Sequence, residues 1–287
     1  MAAGLGAIAL WGALATLSVL AGPIPPFQMV AMTFTIGASV GIVRFQWQTY
    51  RRSAPRKGLF SWPARVWLLG VGGLFGYHAL YFAALQHAPP AEANLVNYLW
   101  PLLIVLLSAP LAGERLGWPH LLGAALGFVG VALLALGRGA SFAGQYAVGY
   151  ALALGCAFAW SLYSVLSRRS GETAGDAIAS FCAASALLSL VCHLAFEQTR
   201  WPATTIAWLA VLALGLGPAG MAFYLWDHAV KCGDIRTLGA LSYAAPILST
   251  ALLIACGFAQ PTGMLLIAAL LVTAGAVLAT FFSPRPV

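Results

Sequence analysis

The chain has 287 residues, 61% of them hydrophobic and only 7% charged, with a net charge of +7. A soluble domain carries about 25% charged residues, so this composition cannot cover a surface in water. Mean hydropathy is +0.89, and the apolar stretches run about twenty residues each, enough to cross a bilayer as a helix.

Charges and prolines separate ten predicted helices, over 3–22, 26–45, 63–85, 93–113, 118–137, 146–167, 177–196, 205–228, 237–258 and 261–282. The stretches are apolar on all faces, whereas a membrane barrel strand alternates, so helices are predicted. The longest connection, 46–62, holds Arg51, Arg52, Arg56 and Lys57, and most are too short for a soluble domain. No Lys or Arg precedes Arg44; the first span lacks the basic region of a secretory signal and is expected to be retained. With the N-terminus inside and the spans alternating, Arg44, Arg51, Arg52, Arg56, Lys57, Arg65, Arg115, Arg168, Arg169, Lys231, Arg236 and Arg285 fall inside, and only Arg138 and Arg200 outside. Cytoplasmic loops carry this excess, so both termini are predicted to be cytoplasmic. The basic residues sit in scattered loops; they are a topology signal, and no nucleic-acid partner is expected.

The chain also repeats itself. Asn97-Tyr98-Leu99-Trp100-Pro101 lies over Ser242-Tyr243-Ala244-Ala245-Pro246 at an offset of 145 (246 − 101). At the same offset Gly70 meets Gly215, Gly72 meets Gly217, Leu80 meets Leu225 and Gly130 meets Gly275. Residues 1–140 and 141–287 are therefore predicted to be two five-helix repeats. Five is odd, so the second enters the membrane inverted, as in many secondary transporters.

Gly215-Leu216-Gly217-Pro218-Ala219-Gly220 matches a dinucleotide-binding pattern, but no hydrophilic strand-to-helix turn surrounds it, and no acidic residue follows about twenty residues on in a βαβ unit. Glycines within a span more often let helices approach closely, and Gly72-x-x-x-Gly76 and Gly123-x-x-x-Gly127 read the same way. There is no Walker, HExxH or GxSxG motif. Cys156, Cys182, Cys192, Cys232 and Cys256 show no CxxC spacing, so packing is expected, with no disulfide, metal or other cofactor.

Polar and aromatic residues gather on particular spans. The third carries Tyr77, His78 and Tyr81, with Tyr77 and Tyr81 on one face. On the fourth, Asn94, Asn97 and Pro101 form one stripe beside Tyr98 and Trp100. The sixth carries Trp160, Tyr163 and Ser164; the eighth Tyr224, Trp226 and Asp227; the ninth Ser242, Tyr243, Pro246 and Ser249. Tyr77, His78, Tyr81, Asn97, Tyr98, Trp100, Trp160, Tyr163, Tyr224, Ser242 and Tyr243 are the candidate substrate-binding residues. Trp47, Trp62, Trp118 and Trp201 lie at span ends and read as an interfacial belt; Trp226 fits either reading. Pro101 and Pro246 cannot donate to the carbonyl four residues back, which predicts kinks and frees the carbonyls of Asn97 and Ser242, either to shape packing or to accept from an ammonium. A deep Trp or His can likewise simply pack. Cavity residues would show loss of transport in Trp100→Ala, Trp160→Ala and His78→Ala with the folded amount nearly unchanged.

Glu92, Glu114, Glu172, Asp176, Glu197 and Asp234 fall in loops or at span ends, and only Asp227 lies within a span. No carboxylate chain crosses the midplane, so proton coupling is expected to be absent or weak.

Ala112-Gly113-Glu114-Arg115-Leu116, followed by Leu122-Gly123-Ala124-Ala125-Leu126-Gly127-Phe128-Val129-Gly130-Val131-Ala132-Leu133-Leu134, resembles the signature joining spans four and five in the drug/metabolite transporter superfamily, in its ten-helix EamA branch. The second half departs from it, with Phe258-Ala259-Gln260-Pro261 replacing the acidic turn. Within that branch, Tyr77-His78-Ala79-Leu80-Tyr81-Phe82-Ala83-Ala84 and Asn97-Tyr98-Leu99-Trp100-Pro101 are similar to the aromatic amino acid exporters. The resemblance implies a bacterial-type inner-membrane protein that exports aromatic and some other amino acids, threonine- or methionine-like ones among them, through a central cavity lined by these residues and Trp160. A monomer in the lipid bilayer is expected. Another cargo on the same fold is the alternative, but a nucleotide sugar would want deep basic residues and a drug cation a deep carboxylate. An intramembrane enzyme would need a paired nucleophile and base, or metal ligands, and His78 has no such partner in the sequence.

Overall fold

The computed structural model describes residues 1–51, 58–137, 142–168 and 174–281. Arg52, Arg56, Lys57, Arg138, Arg169, Glu172 and Arg285 of the loop reading lie outside them. Ten helices are long and apolar enough to cross a membrane: α1 (Ala2–Ala21), α2 (Pro26–Arg51), α3 (Ala64–His87), α4 (Glu92–Ala112), α5 (Trp118–Gly137), α6 (Gly144–Ser167), α7 (Ala177–Phe196), α8 (Thr205–Cys232), α9 (Ile235–Ala255) and α10 (Gly263–Phe281). No strand occurs among the described residues. Within a bilayer each backbone N–H and C=O must be satisfied inside its own segment, which is what these helices achieve. The predicted bounds agree closely except for α2, which continues past 45 to Arg51. Its 26 residues span about 39 Å, more than the roughly 30 Å of a hydrocarbon core. The last turns, with Gln46, Gln48 and Thr49, extend past the apolar stretch, where hydropathy no longer marks a helix.

Several helices are interrupted. α1 divides at Ala13. α3 and α8 each contain a π-helical turn, Gly72–Gly76 and Gly217–Met221, and the two start 145 residues apart (217 − 72). α4 and α9 break into turns at Tyr98–Leu99 and Ser242–Tyr243, just before Pro101 and Pro246. The carbonyl of Ser242, expected to be free, accepts from the Ala245 N–H at 3.1 Å because the chain tightens there.

Most of the packing follows a rule of exchange. Among the close neighbours are α2 with α7, α5 with α10 and α4 with α9, together with α3–α6 and α8–α1, α4–α6 and α9–α1, and α2–α8 and α7–α3, while α5–α9 and α6–α8 also meet without a counterpart of the same strength. Swapping the first five helices for the last five maps the first three of these pairs onto themselves and each of the next six onto its partner in the set.

Glycines set the closest approaches, though not all those expected. A Cβ on Gly72 or Gly76 would meet nothing within 4 Å; these two bound the π turn, and it is Gly70 and Gly73 that press against Phe181 and Tyr163. In the 215–220 stretch, Gly215 faces Ile36, and Gly220 meets Gly37 across α2 and α8. A Cβ on Gly123 would lie 2.5 Å from the carbonyl oxygen of Gly275, and one on Gly275 would strike the carbonyl of Gly123 in return. Backbone cannot give way as a side-chain tip does. Gly275→Val is therefore expected to lower stability by about 1–3 kcal/mol, seen as a lower unfolding temperature in detergent micelles; an unchanged temperature would mean that α5 and α10 do not meet here.

Candidate functional site

The interior of the bundle is a track of aromatic rings. Trp11 of α1 lies 6.3 Å from Trp100, 5.6 Å from Trp160, 6.2 Å from Phe223 and 5.2 Å from Trp226, measured between ring centroids. From Trp226 the track passes to Trp160 (6.2 Å), Tyr77 (5.9 Å), His78 (5.2 Å), Phe82 (6.1 Å) and Phe27 (5.3 Å). Tyr163 sits 5.3 Å from Trp160. Edge-to-face and offset contacts of this kind are favourable because each ring's edge carries the opposite partial charge to its face. The track ends at a cavity of about 440 Å³ bounded by Phe27, Phe82, Leu85, Gln86 and Glu197.

Hydrogen bonds hold the rings in place. Trp226 Nε1 donates to Ser164 Oγ at 3.0 Å, and Trp11 Nε1 to the Pro218 carbonyl of the second π turn at 3.2 Å. Ser161 Oγ donates to the Trp100 carbonyl at 2.9 Å. Tyr77 and Tyr81 share a face as predicted, stacked with 8° between their planes. The asparagine stripe of α4 faces them: Tyr81 Oη donates to Asn94 Oδ1 at 2.6 Å, and Asn97 Nδ2 donates to Tyr77 Oη at 2.9 Å. His78 Nδ1 is 2.7 Å from the Leu74 carbonyl.

Of the candidate residues, Tyr77, His78, Tyr81, Asn97, Trp100, Trp160 and Tyr163 come together here. Four lie elsewhere. Tyr98 and Tyr243, equivalent in the sequence repeat, pack into a separate cluster of α4, α5, α9 and α10, where Tyr243 lies against Phe128 and Gly127. Tyr224 Oη donates to the Gly37 carbonyl at 3.1 Å, between α8 and α2. Ser242 Oγ is buried and donates to the Leu238 carbonyl at 2.7 Å. Pro101 and Pro246 are buried; the Pro101 carbonyl lies against Gly239 of α9. Trp226, ambiguous in the sequence, is fully buried in the track. Phe34 lies 5.2 Å from His78 and 5.5 Å from Phe223; Trp11, Phe27, Phe34 and Phe223 had not been singled out, and nothing in their neighbourhood in sequence marks them.

The two ends of the bundle are tied differently. At one end Gly113 ends α4 in the left-handed conformation (φ 75°), which a residue with a Cβ rarely adopts. The Glu114 N–H then bonds back to the Ser108 carbonyl at 3.2 Å, a helix stop that fixes where Glu114 points. Glu114 pairs with Arg168 at 3.0 Å and approaches Arg236 at 3.7 Å. Arg236 also grips both oxygens of Asp234, at 2.9 and 3.0 Å, and donates to the Arg115 carbonyl. Asp227 pairs with Lys231 at 3.1 Å. At the other end Glu197 caps the start of α2, accepting from the N–H groups of Phe27 (2.9 Å) and Gln28 (3.1 Å), where a negative charge suits the helix dipole. His193 Nδ1 lies 2.9 Å from the same carboxylate.

Known proteins bear on this arrangement. The chain is 51% identical over 284 residues to the aromatic amino acid exporter YddG of Ancylobacter novellus, covering 98% of this chain and 97% of that one. It is 27% identical over 186 residues to the protein of the same name from Salmonella typhimurium, covering 61% of each. A solved crystal structure 50% identical in sequence superimposes with a TM-score of 0.91 over 99% of this chain and 98% of that one. The EamA-like transporter family matches residues 1–136 and again 147–281. With ten membrane-crossing helices and both halves matched, this is a multi-pass membrane protein that belongs to the EamA-like transporter family.

Proposed function

We propose that the protein exports aromatic amino acids, and threonine- or methionine-like ones, from the cytoplasm across a bacterial-type inner membrane. The observation that carries this reading is the continuous ring track, built by α1, α3, α4, α6 and α8 together, which offers faces and edges to an aromatic side chain. The name of the Ancylobacter novellus relative points to the same cargo. Tyr77, His78, Tyr81, Asn97, Trp100, Trp160 and Tyr163 are the substrate-facing set, while Tyr98, Tyr224, Ser242 and Tyr243 serve helix packing.

Residues 1–140 and 141–287 are read as inverted five-helix repeats, with both termini cytoplasmic. The paired π turns, the exchange symmetry of the packing and the double family match support the duplication; the basic residues support the orientation. The Arg168–Glu114–Arg236 end is then cytoplasmic and the Glu197 end external. Alternating access follows from rocking one half against the other about Pro101 and Pro246. The protein acts as a monomeric facilitator without strong proton coupling and without enzymatic activity.

Reconstitution into liposomes tests this. Saturable uptake of labelled phenylalanine, tryptophan and threonine is expected without a pH gradient, and an imposed gradient is expected to leave it unchanged. Uphill uptake driven by the gradient would overturn the facilitator reading. Folded protein that moves none of the three would falsify the cargo.

A further inference from the structure

Asn97 is the last residue of the helical run Pro90–Asn97, which forms the start of α4 and ends before the turn that leads into Trp100–Ala112. The side chain is only 4% exposed. Its one hydrogen bond joins it to Tyr77 Oη, and its Oδ1 is buried without a partner. A buried polar atom left unpaired is costly and marks a place where a ligand can pair it. Amide oxygen and nitrogen exchange places easily in a structure, but the conclusion survives the exchange. In either orientation the amide and the phenol share one hydrogen bond and keep at least one donor and one acceptor unspent.

Two further features converge on this pair. The turn at Tyr98–Leu99 brings the carbonyl end of one helical run next to the amide end of another, and these ends carry opposite partial charges. Interrupted helices in transporters present such ends to ionic groups. The rings beside the pair, Tyr81 stacked on Tyr77 and Trp160 at 5.9 Å, suit an aromatic side chain. No charged side chain belongs to this cluster among the described residues; of the carboxylates within the spans, Asp227 is paired with Lys231 and Glu92 is the first residue of α4. A site of this kind offers a donor and an acceptor but no countercharge. It fits a zwitterion, whose charges cancel, and leaves a lone cation or anion without its neutralising partner.

We propose that Tyr77 and Asn97 form the head-group site, holding the ammonium and carboxylate of a zwitterionic amino acid while its side chain lies on the ring track. This rests on the transport reading above and adds a selection rule: phenethylamine, which lacks the carboxylate, and 3-phenylpropionate, which lacks the ammonium, are rejected.

The test is inhibition of labelled phenylalanine uptake in liposomes by unlabelled phenylalanine and by the two single-charge analogues. Wild-type protein is expected to prefer phenylalanine at least tenfold, the loss incurred when a buried polar group faces an analogue without its partner. In Asn97→Leu the half-saturating phenylalanine concentration rises about tenfold and the preference shrinks towards one. Asn97→Asp shifts the preference towards phenethylamine. Tyr77→Phe removes only the hydroxyl and decides the matter if Asn97→Leu does not fold. Folded variants that keep wild-type affinity and preference overturn this assignment alone, as does wild-type protein that takes all three inhibitors equally. Wild-type protein that moves no amino acid overturns the transport reading itself.

Discussion

Arg236→Ala is expected to lower the stability of the folded protein by about 3 kcal/mol, the lower end of what removing one partner of a buried ion pair costs. The guanidinium is 4% exposed and joins three groups from two segments: Asp234 in the turn between α8 and α9, and Glu114 with the carbonyl of Arg115 after α4. The carboxylates of Asp234 and Glu114 are 23% and 17% exposed, so water relieves part of the loss, which is why the lower figure applies. Glu114 keeps its bond to Arg168, but Asp234 loses its bidentate partner. Arg236→Lys keeps the charge and cannot grip two oxygens in parallel, so it should fall between. Thermal unfolding in micelles measures all three proteins, and a double-mutant cycle with Asp234→Ala separates the pair from its surroundings. A change below about 0.5 kcal/mol, the range of an ordinary surface substitution, would show that this end is not held by Arg236.

The same network gives a pH dependence. Burial pushes the Asp234 carboxyl up, but the hydrogen bonds and charge of Arg236 together with two backbone N–H groups outweigh it and hold the carboxyl below the ordinary carboxylate value. The depressed value means that this contribution is fully present above the ordinary carboxylate range and is lost as pH falls through the folded-state value. Acid should therefore loosen this end of the wild-type protein, and Arg236→Ala should show less of that loss.

This network also shows how far the residues spoke for themselves. Gly113-Glu114-Arg115 was visible as a family signature, and its physical reason is a left-handed glycine that aims a carboxylate. Its partners, Arg168 and Arg236, were visible only as positive charges at span ends, because contacts across 54 and 122 residues (168 − 114; 236 − 114) leave no periodic trace. The number and bounds of the helices were legible because a bilayer demands apolar length. The turns in α4 and α9 were legible because proline lacks a donor. What could not be read was the rotation of each helix about its axis. A helix apolar on every face carries no stripe to say which side turns inward. Trp11 was therefore missed, and Tyr98 and Tyr77 could not be told apart although one packs against the cluster around Tyr243 and the other against the ring of Trp160. Where polar residues broke the uniformity, the stripe of Asn94, Asn97 and Pro101 and the shared face of Tyr77 and Tyr81 were legible, and the structure sets the two against each other.

Trp160→Ala is expected to lose transport per folded molecule by at least tenfold and to lose stability as well. The sequence alone suggested that the folded amount would be nearly unchanged for Trp100→Ala and Trp160→Ala. Burial alters that: the two side chains are 6% and 5% exposed, and Trp160 touches Trp11, Tyr77, Tyr163, Phe223 and Trp226 as well as Trp100. Truncating a buried Trp costs about 3–5 kcal/mol through the void it leaves. The loss of transport has a separate origin. Each ring contact that a substrate makes with the track contributes about 0.5–1.5 kcal/mol beyond burial, so two lost contacts reach the 1.4 kcal/mol that makes a factor of ten. Trp160→Phe keeps a ring and fills most of the void, and should recover stability before it recovers transport. His78→Ala, at a half-buried position, should change transport with little effect on folding. The measurement is initial uptake of phenylalanine divided by the amount of folded protein, with the unfolding temperature taken on the same preparation. If uptake per folded molecule stays at the wild-type level in Trp160→Ala, the rings are core and the substrate passes elsewhere.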